Sequence, residues 1–548
     1  MPREFLISCC KKKRDETEGV MKTKSVLRKL TAAVLSCTLC CTGMTVPAFS
    51  AEETEEEFVF PERIDLRETN PSVLTPVKRQ HGNTCWAYSA IGAIESDMIK
   101  KGLADSSVDL SEAHLIWFIR GQGSPTDPDD PCYGGGKSYG TDAYDMGGSV
   151  LEVMLSLGGW QGVVNQTDCS ADSEELPLDE SLRYQSIAHL QNMELVVVKD
   201  TERMKKMFLE KGGPLRGTYY HIYKLSLSEN AGYYNADYAN GGTIEKGDGG
   251  NHGILIVGWD DHYPKENFNQ EAPADGAWIC KNSWGNYKNS EDGYFYLSYY
   301  EATIREFGYL DMQPVTNFGN VYHYNNCSKI KHKYPGEDYG YVTATVFEAK
   351  KDEKVAAVGF LTDRLSQDYE ISVYALNPDC TDPQDGTLVT TFGGTEAYPG
   401  FHTEYLPESY AVKKGQKYSV LVKSPIGKDY GFYYDDCCYQ KGISFYADHY
   451  AETGENEKLK WKDCYDKNYG DICTYVYTEY EGDTEQFIRG DLNRDGRVNA
   501  IDLSLLKQVL LGRERTDIDR KAADWNGDET ISAEDAAGIL DFLLQKEA

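Results

Sequence analysis

The chain begins with a basic stretch (Lys22, Lys24, Arg28, Lys29), an uncharged apolar run over 30–44, and an acidic strip over 52–57. The apolar run is shorter than the roughly 20 residues a membrane span needs, and Ala48, Ser50 and Ala51 suit signal-peptidase cleavage. Residues 1–51 are therefore read as leader and signal peptide, with Met21 as the alternative start. Trp86, Ala90, Ile91, Ile94 and Met98 then recur at three- and four-residue spacing, which predicts a helix beginning at Cys85. Nearly continuous apolar runs at 252–259, 278–280 and 294–299 predict buried strands. A helical half before a strand half predicts an α+β domain of two packed lobes over 58–312. From 315 to 480 the runs shorten and alternate (341–347, 355–361, 369–376, 388–392, 417–422), with Asn377-Pro378 and Lys414-Gly415 as turns between them. That texture predicts an antiparallel β-sandwich. A charged hinge at 479–485 leads to a last domain at 487–548, with apolar helices at 503–511 and 536–544.

Charge narrows the function. The 548 residues carry 56 Lys and Arg against 88 Asp and Glu, a net charge of −32. Such a chain lacks the clustered positive charge that nucleic acid or anionic lipid requires. No run after the leader is long and apolar enough to span a membrane, so an exported, soluble product is expected. Five of the 15 cysteines fall in the leader and ten remain, too few for a disulfide scaffold of this size. If one is a reactive thiol, the other nine cannot all pair within the chain.

The last domain contains a repeat. Asp491, Asn493, Asp495, Arg497 and Asp502 stand at positions 1, 3, 5, 7 and 12 of one loop, and Asp524, Asn526, Asp528, Thr530 and Asp535 repeat the plan 33 residues on. Crowded carboxylates repel one another unless a hard cation with six to eight oxygen ligands holds them. Position 7 contributes its backbone carbonyl, so Arg497 and Thr530 are ligands through the main chain. Two loops in register predict two calcium ions. Position 6 is Gly496 in the first loop and Glu529 in the second, so the second loop is expected to bind more weakly or to bend differently. With Asp at position 12 and no helix before the first loop, the repeat resembles a dockerin. That resemblance implies a cohesin domain on a scaffold protein as partner, as in the cellulosomes that break down polysaccharides. Ala500-Ile501 and Ala533-Glu534 occupy the positions that help select the cohesin in that family. Their unlike chemistry argues against a symmetric two-way docking mode.

Three separated segments carry candidate chemistry: Gln80 with Asn83-Thr84-Cys85-Trp86, then Asn251-His252-Gly253, then Lys281-Asn282-Ser283-Trp284-Gly285. A thiol at a helix N-terminus has its thiolate favoured by the dipole and free N–H groups, and Asn83 or Thr84 is expected to cap that helix. A histidine supplies general base and acid, and a neutral amide such as Asn282 can orient it. Trp284 would shield that hydrogen bond. Gln80 and the Cys85 N–H would stabilise an oxyanion. Each residue alone has a plainer reading, as a buried thiol, a strand-end histidine and a turn.

Together with their flanks these segments resemble the papain family of cysteine peptidases, with Cys85 as nucleophile, His252 as base and acid, Asn282 as orienter and Gln80 in the oxyanion hole. Ile64-Asp65-Leu66-Arg67 resembles the start of a mature enzyme of that family, and Leu110-Ser111-Glu112 its next helix. Gly147 and Gly148 match the glycines that hold the substrate backbone beside the cleft, with Trp284 placed at the same cleft. The family needs no cofactor for catalysis. Three departures stand out. Gln80 lies one residue closer to Cys85 than in papain. Gly82 replaces a disulfide cysteine. His252 lies 167 residues after Cys85, beyond the family's roughly 130–150. About 34 residues separate cleavage from Cys85, too few for the usual inhibitory pro-segment. Residues 315–480 resemble the lectin-like sandwich that follows some bacterial papain-like domains, although the sequence names no carbohydrate site.

Two classes of function follow. One is a secreted endopeptidase acting on polypeptide and carried on a scaffold, extracellular or at the cell surface. The other is a non-catalytic adhesion or assembly protein that keeps a peptidase-like lobe, which the shortened Gln80 loop favours.

Overall fold

The structure, a computed structural model, describes residues 59–548 except 129, 131, 134–137, 170–175, 198–199, 244, 246, 326–328, 335–339, 426–429, 449–458, 481–488, 494–497, 499, 514, 516–517, 527–529 and 547–548. The leader and signal peptide expected at 1–51 lie outside the described residues, as do Asp495, Arg497 and Asp528. The chain divides into Met1–Val59 and Phe60–Ala548, and every described helix and strand lies in the second unit. Among the described residues no helix is long and apolar enough to cross a membrane.

The first lobe is built on α1 (Cys85–Lys101), α2 (Glu112–Ile116) and α3 (Val150–Gly158). Its apolar stripe Ile91, Ile94 and Met98 is buried in one core with Leu255 and Val257 from the strand lobe. The end of α1 is clamped to that lobe by a buried carboxylate. Asp97 accepts from the Tyr309 hydroxyl at 2.6 Å and the Met312 amide at 2.8 Å, and pairs with Lys101 at 2.9 Å. Such charge-assisted bonds are worth more than neutral ones and need good geometry.

The strand lobe contains β1 (Arg63–Asp65), β2 (His189–Val196), β3 (Leu215–Ile222), β4 (Gly249–Asp260), β5 (Ala277–Lys281), β6 (Tyr294–Ser298) and β7 (Glu306–Gln313). Their order is β6-β5-β4-β3-β7-β2, with β1 on β4. Helix α4 (Thr201–Lys211) joins β2 to β3. The strand β4 is buried on both faces from His252 to Trp259, which explains its nearly continuous apolar run.

The antiparallel sandwich expected over 315–480 is present, and one of its two layers is continuous with the sheet of this lobe. The sheet continues from β2 into β9 (Gly400–Val412), then β8 (Glu353–Thr362) and β12 (Tyr475–Thr478), making one sheet of twelve strands across both regions. Gly400 and Phe401 pair with Glu194 and Met193 across the junction. The edge of one domain is thereby covered by the other, which removes an open sheet edge. A six-stranded sheet, with Tyr341–Glu348, Gln367–Leu376, Gly386–Glu396 and Lys417–Lys423 among its strands, forms the opposite layer. Phe347, Val358, Val373 and Val420 pack between the layers. Two short strands, β10 (Phe432–Asp435) and β11 (Asp471–Ile472), pair beside them.

The last domain has α5 (Ala500–Leu510) and α6 (Ala533–Lys546) around a small core of Leu492, Val498, Leu506 and Ile539.

Candidate active site

Cys85 is the first residue of α1. The predicted cap is absent. The Thr84 side chain makes no cap bond; its hydroxyl donates to the His81 carbonyl at 2.5 Å, and the Asn83 side-chain amide donates to the Asp145 carbonyl at 3.0 Å. Both side chains are engaged elsewhere, so the Thr84 side chain leaves the first helical N–H groups uncapped.

Strand β4 crosses the start of α1 at Gly253. A Cβ there would lie 2.7 Å from Ser89 Oγ and 2.8 Å from the Cys85 carbonyl, so only glycine permits this approach. The crossing places the thiol beside the histidine. Cys85 Sγ lies 3.9 Å from the Asn251 carbonyl and interacts with the Gly253 amide, the residues on either side of His252.

Asn282 follows β5, the antiparallel neighbour of β4. Its Oδ1 accepts from the Ser283 amide at 2.7 Å and lies 2.9 Å from His252 Nε2. An oxygen already accepting one N–H is an acceptor for the other, so His252 carries its proton on Nε2 and keeps the Nδ1 lone pair. The Trp284 ring stacks on the imidazole at 4.3 Å between centroids, which shields this bond.

The segment before Cys85 is zipped to the Asn-Ser-Trp-Gly segment. The Gln80 amide donates to the Ser283 carbonyl at 2.7 Å and the Gly285 amide to the Lys78 carbonyl at 3.0 Å. Ser283 Oγ donates to Gln80 Oε1 at 2.7 Å, and Gln80 Nε2 donates to the Gly82 carbonyl at 2.8 Å. These bonds fix the direction of the side-chain amide and use one of its two N–H groups. Behind Asn282, Lys78 bridges Glu95 at 2.8 Å and Glu112 at 2.9 Å, and Lys281 donates to the Thr75 carbonyl at 2.7 Å. Burial lifts Glu112 to about 7 and lowers Lys281 to about 8. This network holds the two lobes in one register.

Gly148 lies against the Trp86 ring, where a Cβ would come within 2.4 Å. Gly147 has φ +63 and its carbonyl accepts from Arg120 Nε at 2.9 Å. The glycine pair thus borders the residue after the thiol. Sequence reasoning missed His221 and Tyr219. They alternate on β3 opposite β4, with the His221 ring 4.9 Å from Trp284 and the Tyr219 ring 5.8 Å from His252. The period-two spacing in Tyr219-Tyr220-His221 was the available signal.

Burial pushes the Cys85 thiol up, against the Gly253 and Trp86 amides and the Arg216 charge, which lower it. Burial also pushes His252 down to about 4, against the Asn282 bond. Each group alone therefore favours its uncharged form.

In the last domain, Asp491, Asn493, Asp502 and Asp535 are buried. Asp502 Oδ1 accepts from the Leu492 amide at 2.7 Å, closing the first loop on itself, and Asp535 Oδ1 accepts from the Asn526 amide at 3.1 Å in the second. Buried carboxylate and amide oxygens drawn together in this way fit a hard cation. Among the described residues no group of three or more His, Cys, Asp or Glu side chains is placed to hold a metal ion, Asp495 and Asp528 lying outside them.

Comparison with known proteins agrees with this architecture. The papain family cysteine protease profile matches residues 60–308, the lectin like domain 321–474 and the dockerin type I domain 489–544. The chain thus carries a papain-family cysteine protease domain, a lectin-like domain and a dockerin type I domain, the last a kind that generally binds calcium. Cysteine proteinase 2 of Leishmania pifanoi is 28% identical over 227 residues, covering 41% of this chain and 42% of its own. Cathepsin L2 of Homo sapiens is 27% identical over 237 residues, covering 41% and 57%. The chain spans about half the length of the curated relatives it matches. The cysteine protease and lectin-like domains of Cwp84, a surface layer associated protein of Clostridium difficile, superpose with a TM-score of 0.59 at 21% identity, over 77% of this chain and 90% of that one. At that identity the likeness is one of fold.

Proposed function

We propose that this chain is a secreted cysteine endopeptidase, working through Cys85, His252 and Asn282 and attached to a multi-enzyme scaffold by its dockerin. One observation carries the reading. Cys85 sits at the start of a helix, with its sulfur between the backbone neighbours of a histidine whose far nitrogen is fixed by Asn282.

The chemistry follows from that arrangement. The Cys85 proton moves to the Nδ1 lone pair of His252, and the resulting thiolate and imidazolium offset each other's burial. The thiolate attacks the peptide carbonyl. The oxyanion receives the Cys85 N–H and the second N–H of Gln80 Nε2, whose direction Ser283 sets through Oε1. The imidazolium then protonates the departing amine. Next His252 takes a proton from water, which attacks the thioester and releases the acid. No cofactor enters. Gly147 and Gly148 offer backbone to an extended substrate.

The dockerin would hold two calcium ions through Asp491, Asn493, Asp502, the Thr530 carbonyl, Asp524, Asn526 and Asp535 with their loop partners, and would present its helices to a cohesin domain. Calcium would offset the crowding of these carboxylates. The leader and the dockerin together support an extracellular or cell-surface location.

The test is thiol chemistry. Iodoacetamide should label Cys85 rapidly near neutral pH, labelling should slow in His252→Ala, and peptide substrates should be cleaved except by Cys85→Ala. Slow labelling, unchanged in His252→Ala and without cleavage, would establish the non-catalytic assembly protein instead.

A further inference from the structure

Two cysteines far apart in sequence meet where the peptidase and lectin-like domains join. Cys132 lies on the loop that follows the helical segment Trp117–Gly121, and the Tyr139 amide donates back to the Arg120 carbonyl at 3.0 Å. Cys438 lies just after β10, in the lectin-like domain. Both are buried thiols, at 3% and 5% exposure, and the Cys438 thiol, which donates to Asp435 Oδ2 at 3.9 Å, has the Cys132 side chain as a second hydrogen-bond partner.

Each is held in a tight turn. The Cys132 amide donates to Asp130 Oδ1 at 2.8 Å, and Tyr184 holds the other oxygen of Asp130 at 2.6 Å. The Cys438 amide donates to the Asp435 carbonyl at 3.2 Å, and its carbonyl accepts from the Asp471 amide at 2.8 Å.

We propose that Cys132 and Cys438 become a disulfide that staples the peptidase domain to the lectin-like domain, formed during folding by exchange with a small-molecule disulfide such as oxidised glutathione. One thiolate attacks the glutathione disulfide and expels a glutathione thiolate. The second protein thiolate then attacks the mixed disulfide and expels the other. Two protein thiols are oxidised, one glutathione disulfide is reduced to two thiols, and these carry off the two protons.

Timing follows from burial. Once folded, the Cys438 thiol is pushed up by its contact with Cys132, by burial and by Asp435 and Asp471, so it is a poor nucleophile there. The exchange therefore belongs to the folding chain, and the finished bond is shielded from reductants. The staple would act on the cleft, because Arg120, at the base of the Cys132 loop, also holds the Gly147 carbonyl and pairs with Glu152 at 2.6 Å.

The full chain should be refolded in glutathione buffer, alkylated, digested with pepsin under non-reducing conditions and mapped by mass spectrometry. The expected result is a linked peptide pair containing Cys132 and Cys438, absent from Cys438→Ala. Reduction should lower the unfolding temperature by about 5–10 °C in the wild type but not in the Cys132→Ala/Cys438→Ala variant. Alkylation at both residues, a Cys438–Cys473 peptide, or glutathione left on one cysteine would overturn the proposal. If the variants do not fold, the wild-type map decides alone. None of these readouts depends on peptide hydrolysis.

Discussion

The Asn282 side-chain oxygen serves the Ser283 amide and His252 Nε2 together, at 2.7 and 2.9 Å. A single acceptor thereby sets the tautomer of the imidazole and directs its remaining lone pair away from Asn282. The side chain that orients the histidine is itself oriented by its own next residue.

Replacing Asn282 with Ala removes that acceptor but leaves the thiol in place. Peptide hydrolysis, followed as kcat/KM, should fall by about 10²–10⁴, and rapid alkylation of Cys85 should slow. Trp284→Ala should cause a smaller loss, since stacking shields the bond without making it.

Gln80→Ala should lower kcat by about 10-fold to 10²-fold with little change in KM, because an oxyanion donor acts chiefly in the transition state. Ser283→Ala should give part of that loss, as the hydroxyl only fixes the direction of the amide.

At Gly253 a methyl group meets the Cys85 carbonyl and Ser89 at once. Gly253→Ala should lower the unfolding temperature and abolish rapid Cys85 labelling together, as measured by thermal melts and timed alkylation.

Burial and the facing Asp435 raise Asp471 to about 8, and among the described residues its Oδ2 has no hydrogen-bond partner. The folded state therefore binds a proton that the unfolded chain releases near 4. The stability this gives is complete below pH 4 and is lost as pH rises towards 8. Denaturant unfolding should show wild type losing about 5 kcal/mol across that window, with a smaller loss in Asp471→Asn.

Chelation of calcium should unfold the last domain and leave the peptidase domain folded, giving two separate transitions by calorimetry with chelator and a shift of only the dockerin transition on adding calcium. Cohesin binding should be lost in parallel.

Much of the molecule was legible in the sequence because local pattern and burial coincide. The stripe from Trp86 to Met98 became α1 (Cys85–Lys101), and the run after His252 became the buried strand Gly249–Asp260. The strand Gly400–Val412 was not among the predicted runs, and its burial follows no simple alternation. Helices Val150–Gly158 and Thr201–Lys211 were not among the predicted elements.

The sequence by itself determined the residue types: one thiol at a helix start, a histidine before a glycine, an asparagine before Ser-Trp-Gly, and paired acidic loops. These are properties of short stretches, where spacing along the chain equals spacing in space. Only the tertiary structure decided that Thr84 and Asn83 leave the helix start open, that His221 and Tyr219 stand behind the imidazole, that one sheet runs through two domains, and that Cys132 meets Cys438. Each of those contacts joins separate segments or depends on which side chain reaches a shared partner first, and no local pattern of polarity encodes that outcome.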